Sequence, residues 1–78
     1  MRLRGVRAPE RRFARIQEAD RLLREGDARG AAVPIGELLR ADPEDADALY
    51  PRGRQHLLDA DAAAAQASFA RAVAVLGR

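Results

Sequence analysis

Residues 19–41, ADRLLREGDARGAAVPIGELLRA, and residues 53–75, GRQHLLDADAAAAQASFARAVAV, follow one pattern at a spacing of 34 residues. The pairs in register are Ala14/Ala48, Ala19/Gly53, Leu23/Leu57, Asp27/Asp61, Ala28/Ala62, Ala31/Ala65, Ile35/Phe69 and Leu39/Val73. Five of these eight pairs are identical, and the aspartates and large apolar residues share the register. A period of 34 residues predicts a repeated unit of two helices.

Apolar residues recur at spacings of three and four along the whole pattern, which is typical of amphipathic helices. The first helix is predicted from Pro9, which suits a first turn, to Glu25, and Gly26 ends it. The other three are predicted over about 28–41, 46–58 and 62–76, with aspartates at their starts. The predicted inward-facing residues are Phe13, Ile16, Ala19, Leu22, Leu23, Ala31, Ile35, Leu38, Leu39, Ala46, Leu49, Gly53, His56, Leu57, Ala65, Phe69, Ala72, Val73 and Leu76.

The links between these helices are short, so sequential helices are expected to be antiparallel. The predicted fold class is therefore all-α, with four helices in two stacked antiparallel hairpins. Pro34 and Pro51 fall inside helices, where each removes a backbone hydrogen bond at a cost of about 3 kcal/mol. We expect a kink at each proline, or irregular or 3₁₀ structure over residues 31–33 and 46–50.

The chain resembles the tetratricopeptide repeat family over residues 12–78. The matching residues are Ala19, Leu22, Gly26, Ala31, Ile35 and Pro43 in the first unit, and Leu49, Gly53, Ala60, Ala65, Phe69 and Ala72 in the second. Glu18, Arg52 and His56 depart from the family's preferences. The predicted organisation is a flexible basic arm over residues 1–8 and one helical domain over residues 9–78, with repeat one at 12–45 and repeat two at 46–78.

The resemblance implies a non-catalytic module that binds a peptide or helix of a partner protein in a groove lined by the first and third helices. The candidate partner-binding residues are Phe13, Ile16, Asp20, Arg24, Tyr50, Arg54 and Leu57. The family's Lys and Asn clamp for a C-terminal carboxylate is absent, so an apolar or aromatic anchor with an acidic group is expected instead. Ordinary packing between helices is an equally good interpretation of each of these residues.

Two other functions remain open from the sequence. Residues 1–15 carry six arginines against one acid, and Arg2, Arg4, Arg7, Arg11 and Arg12 could neutralise the phosphates of a nucleic acid. No aromatic residue is interleaved to stack on bases, so a solvated tail is the simpler interpretation. A scaffold that forms homo-oligomers through exposed apolar residues of the fourth helix is the third, because repeat arrays generally need three or more units.

Catalysis and metal binding have few candidate residues. The chain contains no Cys, Thr or Lys, Ser68 has no nearby histidine, and His56, Asp59 and Asp61 lack the ligand count of a structural metal site. We predict that the protein is not an enzyme and needs no cofactor. The exclusive use of Arg over Lys suggests a GC-rich bacterial source, and the lack of a long apolar run predicts a cytoplasmic location and no membrane partner.

Overall fold

The computed structural model describes the backbone of residues 3–78 and the side chains of residues 11–78. It contains four α-helices, namely α1 (Leu3–Arg24), α2 (Ala28–Ala41), α3 (Ala46–Leu58) and α4 (Ala62–Leu76). No strand occurs between residues 3 and 78. The predicted all-α class is therefore confirmed, and α2, α3 and α4 have the predicted bounds.

The first helix begins at Leu3, not at Pro9 as predicted. Leucine, arginine and alanine, which supply most of residues 3–8, all have high helix propensity, and this favours helix on the N-terminal side of the proline. Of the predicted arm over residues 1–8, residues 3–8 are thus part of α1, while Met1 and Arg2 lie outside the described residues.

The turn between α1 and α2 is built on a glycine. Gly26 adopts a left-handed backbone with φ of 78°, and its amide donates to the Leu23 carbonyl at 3.0 Å while the Asp27 amide donates to the Leu22 carbonyl at 2.8 Å. These two bonds form a Schellman motif, which ends a helix at a left-handed residue. Asp27 then caps α2 by accepting from the amide of Gly30 at 2.8 Å.

The turn between α3 and α4 has the same arrangement at the equivalent point of the second repeat, with an alanine in place of the glycine. Ala60 has φ of 59°, its amide donates to the Leu57 carbonyl at 3.0 Å, and the Asp61 amide donates to the His56 carbonyl at 2.9 Å. Asp61 caps α4 by accepting from the amide of Ala64 at 3.1 Å. The period found in the sequence is therefore present in the backbone.

Both prolines lie inside continuous α-helix, so the predicted irregular or 3₁₀ structure over residues 31–33 and 46–50 is wrong. Each proline is in the second turn of its helix and removes a single hydrogen bond. Asp27 and Asp45 cap the first turns of these helices, and Pro34 is fully buried, so the burial of its ring offsets part of the lost bond.

The helices pack in sequence, α1 on α2, α2 on α3 and α3 on α4, and α1 also contacts α3. Arg15 of α1 pairs with Glu37 near the end of α2. Glu44, just before α3, pairs with Arg71 of α4 and with Arg78, which follows the end of α4. Each pair joins two residues that lie on opposite sides of the connecting turn and well away from it, so both hairpins are antiparallel. The hydrogen bonds from Arg78 are the main cause of a lowered pKa at Glu44.

The core of each hairpin sets a small residue of the first helix against a large residue of the second. Ala19 and Ile35 are both fully buried in one cluster with Leu23 and Ala31. In the second hairpin the ring of Phe69 lies directly on Gly53, where a Cβ atom would be only 2.6 Å from Cδ1 and 2.7 Å from Cζ. The larger ring therefore requires the smaller partner.

Four residues predicted to face inward are largely exposed, namely Phe13 at 60%, Leu57 at 54%, Val73 at 69% and Leu76 at 75%. Their helices are amphipathic, but the described residues provide no further helix to cover these positions. Ala31 and Ala65, which the repeat also places inside, are fully buried as predicted.

Ala60→Gly is expected to raise the free energy of unfolding by about 1 kcal/mol, because an L-residue in the left-handed region carries strain that glycine does not. Gly26→Ala is the matched control and should lower it by a similar amount, since a Cβ atom there meets nothing within 4 Å and only the backbone conformation matters. Denaturant unfolding of both variants measures this. Two changes of the same sign would contradict the equivalence of the turns.

Gly53→Ala is expected to destabilise the protein by about 1–3 kcal/mol because its Cβ atom displaces the Phe69 ring. The double variant Gly53→Ala/Phe69→Ile recreates the Ala19/Ile35 pair of the first hairpin and should be less destabilised than the sum of its single variants by at least about 1 kcal/mol. Thermal or denaturant unfolding of the cycle checks this, and simple additivity would show that the two residues do not share a contact.

Candidate functional site

Helices α1 and α3 lie side by side and parallel, and residues at equivalent positions of the two repeats stand next to each other. Arg12 on α1 pairs with Asp45 and Asp47 at the start of α3, at 2.8 Å in each case. Nearer the other end, Asp20 on α1 pairs with Arg54 on α3 at 3.1 Å. The residues predicted to bind a partner project from these two helices, and together they are called the α1–α3 face, consisting of Phe13, Ile16, Asp20, Arg24, Tyr50, Arg54 and Leu57.

A chain of ion pairs crosses the middle of this face. Asp20 forms an ion pair with Arg24 on its own helix and accepts a hydrogen bond from Arg54 on α3, both at 3.1 Å. The side chain of Arg24 is 67% exposed and that of Arg54 is 35% exposed, so these pairs contribute little to stability. Each guanidinium has five N–H donors, and both arginines therefore retain donors for an acidic group of a ligand.

Large apolar side chains lie on the same face with much of their surface in water. Phe13, Tyr50 and Leu57 are 60%, 58% and 54% exposed. The Tyr50 ring is held against Phe69, with centroids 5.2 Å apart and planes inclined by 52°. A depression of about 300 Å³, lined by Leu23, Arg54, Leu57 and Leu58, lies between the C-terminal parts of α1 and α3.

The structure thus joins part of the predicted set. Ion pairs connect Asp20, Arg24 and Arg54, and the depression brings Leu57 beside Arg54. Tyr50 packs on α4 through its contact with Phe69, which also fits the alternative interpretation of ordinary packing. Ile16 is half-buried, and Phe13 stands exposed nearer the start of α1.

Arg12 has a structural role that the sequence-based interpretation of the basic segment, residues 1–15, does not include. Arg12, assigned there to a possible phosphate-binding arm, donates to Asp45 and Asp47, and these hydrogen bonds raise the pKa of the guanidinium above its usual value. Asp45 is buried and also caps α3. Arg12 and Asp45 carry opposite charges and lie 33 residues apart, close to the repeat length. This combination could have predicted the pair.

Three arginines of this segment, Arg11, Arg12 and Arg15, also line a cavity of about 710 Å³ between α1 and the end of α2, whose wall further includes Arg40 and Leu38. Carboxylates of Glu37, Asp42 and Asp45 share this wall. Arg12 and Arg15 are engaged by Asp45 and Glu37, so the segment contributes to packing between helices.

The other polar candidates occupy structural positions. Asp59 and Asp61 are the capping residues at the turn between α3 and α4, and His56 and Ser68 are half-buried on their helices. Within the described part of the chain, no group of three His, Asp or Glu residues is placed to hold a metal ion. None of the described helices is long and apolar enough to cross a membrane.

Comparison with family models, with curated proteins and with solved structures finds no match for this chain.

Proposed function

We propose that this protein is a non-catalytic interaction module, similar to two tetratricopeptide repeats, that binds a peptide segment or helix of a partner protein on the α1–α3 face. The observation that carries the proposal is the exposure of Phe13, Tyr50 and Leu57, each by more than half, on the face that also holds Arg24 and Arg54. Tyrosine and arginine are enriched among the few residues that contribute most of the binding energy in protein interfaces.

The chemistry of the face defines the ligand. Burying the exposed apolar surface of Tyr50 and Leu57 favours a peptide with an aromatic or aliphatic anchor, at about 25 cal/mol per Å² removed from water. Arg54 lies beside Leu57 in the depression and retains free donors, so an acidic residue next to the anchor adds a charge-assisted hydrogen bond. The preferred ligand is a short segment that combines the two features.

The two other functions are nucleic-acid binding, which has less support, and self-association, which involves a different surface. Arg12, one of the five arginines of the nucleic-acid interpretation, is engaged by Asp45 and Asp47, which leaves fewer of its donors for a phosphate. Self-association through α4 involves a surface away from the α1–α3 face.

Selection from a random peptide display library on the wild-type protein should yield sequences with an apolar anchor beside an acid. Binding of a selected peptide, measured by fluorescence anisotropy, should weaken at least about tenfold for Leu57→Ala and for Arg54→Gln. The matched controls are Val33→Ala and Arg29→Gln, which change exposed residues of the same types on α2. Equal losses from the controls, or no enriched peptide, would contradict the proposal.

A further inference from the structure

One face of α4 is exposed to solvent, and comparison with α2, the equivalent helix of the first repeat, identifies the neighbour that is missing there. On α2, residues Ala32, Gly36 and Leu39 are half-buried. Their equivalents on α4, one repeat further along the chain, are Gln66, Ala70 and Val73, and all three are exposed. Leu39 also packs against the buried cluster of the first hairpin. The two helices differ in their neighbours, since α2 packs against α3 of the next hairpin and α4 has no such neighbour among the described residues.

The complementary face is uncovered at the other end of the molecule. On α3, Ala48 and Gln55 are buried and Arg52 between them is half-buried. The equivalents on α1 are Ala14, Glu18 and Arg21, which are all exposed. Residues spaced by four and three lie on one side of a helix, so each set is a continuous stripe.

The α2–α3 interface is therefore formed once within the chain. The surfaces equivalent to its two sides, on α4 and on α1, are both exposed. We propose that a second copy of this chain docks its α1 on α4 of the first, with Ala14, Glu18 and Arg21 against Gln66, Ala70 and Val73, so that hairpins continue head to tail. Such an interface is heterologous and does not close on itself after two copies unless the rotation per copy permits it.

Charge favours the same arrangement. Within the chain, Asp20 of the first hairpin pairs with Arg54 of the second. In the proposed stack, α3 of one copy lies beside α1 of the next copy. Arg54 of the first copy therefore meets Asp20 of the second, as these two residues meet within one chain. The stack thus alternates acid and base at this level, whereas like charges in this position would repel.

The polar residues of the α1 stripe are compatible with burial at this position. On α3, the equivalent stripe already includes the half-buried Arg52 and the buried Gln55, whose Nε and Oε1 atoms are buried without a hydrogen-bond partner among the described residues. Long side chains such as Glu18 and Arg21 cover apolar surface with their stems and keep their charged ends in water. Ala70 is small, as Gly36 is, and allows the helices to approach closely.

Two end-blocking variants test the proposal by sedimentation equilibrium. The average mass of the wild-type protein should rise with concentration between about 10 µM and 1 mM, the weak range expected for an interface of one helix pair. Ala70→Glu blocks the α4 stripe and Ala14→Glu blocks the α1 stripe, and each should be monomeric. Ala67→Glu changes another exposed alanine of α4 that points about a quarter turn away from the centre of the stripe, and this variant should assemble like the wild type.

An equimolar mixture of Ala70→Glu and Ala14→Glu should form a dimer and nothing larger, because each variant keeps the half that the other lacks. An α4-to-α4 dimer would instead leave Ala14→Glu self-associating alone. That result, or a wild-type monomer throughout, would overturn the proposal. The outcome is independent of peptide binding because both substitutions lie outside the α1–α3 face.

A charge swap gives a second readout. Asp20→Arg/Arg54→Asp keeps the pair within each chain and should assemble with itself. It should assemble with the wild-type protein more weakly than with itself, because both mixed contacts join like charges. Free mixing of the two forms, followed by fluorescence energy transfer between labelled chains, would contradict the assigned register.

Discussion

The contact between a small residue on the first helix of each hairpin and a large residue on the second determines the rest of the structure. Phe69 lies directly on the backbone of Gly53, and Ile35 shares a buried cluster with Ala19. Because the two pairs occupy equivalent positions of the two repeats, both hairpins close in the same way and stack in register. The parallel alignment of α1 and α3, and the face that they present, follow from this stacking.

The features of the fold that arise from local chemistry could be predicted. Gly26 and the capping aspartates mark helix ends through backbone conformations and side-chain hydrogen bonds within a few residues, and the predicted bounds of α2 to α4 agree with them. The start of α1 could not be predicted in this way. Pro9 is typical of the first turn of a helix, whereas α1 already begins at Leu3. The left-handed backbone at Ala60 carries no residue signal of its own, and only its register with Gly26 indicates it.

The repeat predicts where the residues of the candidate site lie on the helices, but it predicts only some of the contacts that they make. The period placed Asp20 and Arg54 at equivalent points of adjacent hairpins, and these two residues do form an ion pair. The engagement of Arg12 by Asp45 depends on how α1 and α3 are juxtaposed, which no local pattern records. Amphipathic spacing also predicted that Leu57 faces inward, yet it is more than half exposed because periodicity gives a direction and does not say what covers it.

The most direct measurement of the central contact is a nuclear Overhauser spectrum of the protein in solution. We expect strong cross-peaks between the Hα atoms of Gly53 and the ring protons of Phe69, with those Hα resonances shifted by the ring current, because the ring lies on the glycine backbone. Absence of these cross-peaks in a folded, helical sample, together with Gly53 Hα shifts typical of an uncovered helix, would contradict the register on which both hairpins depend.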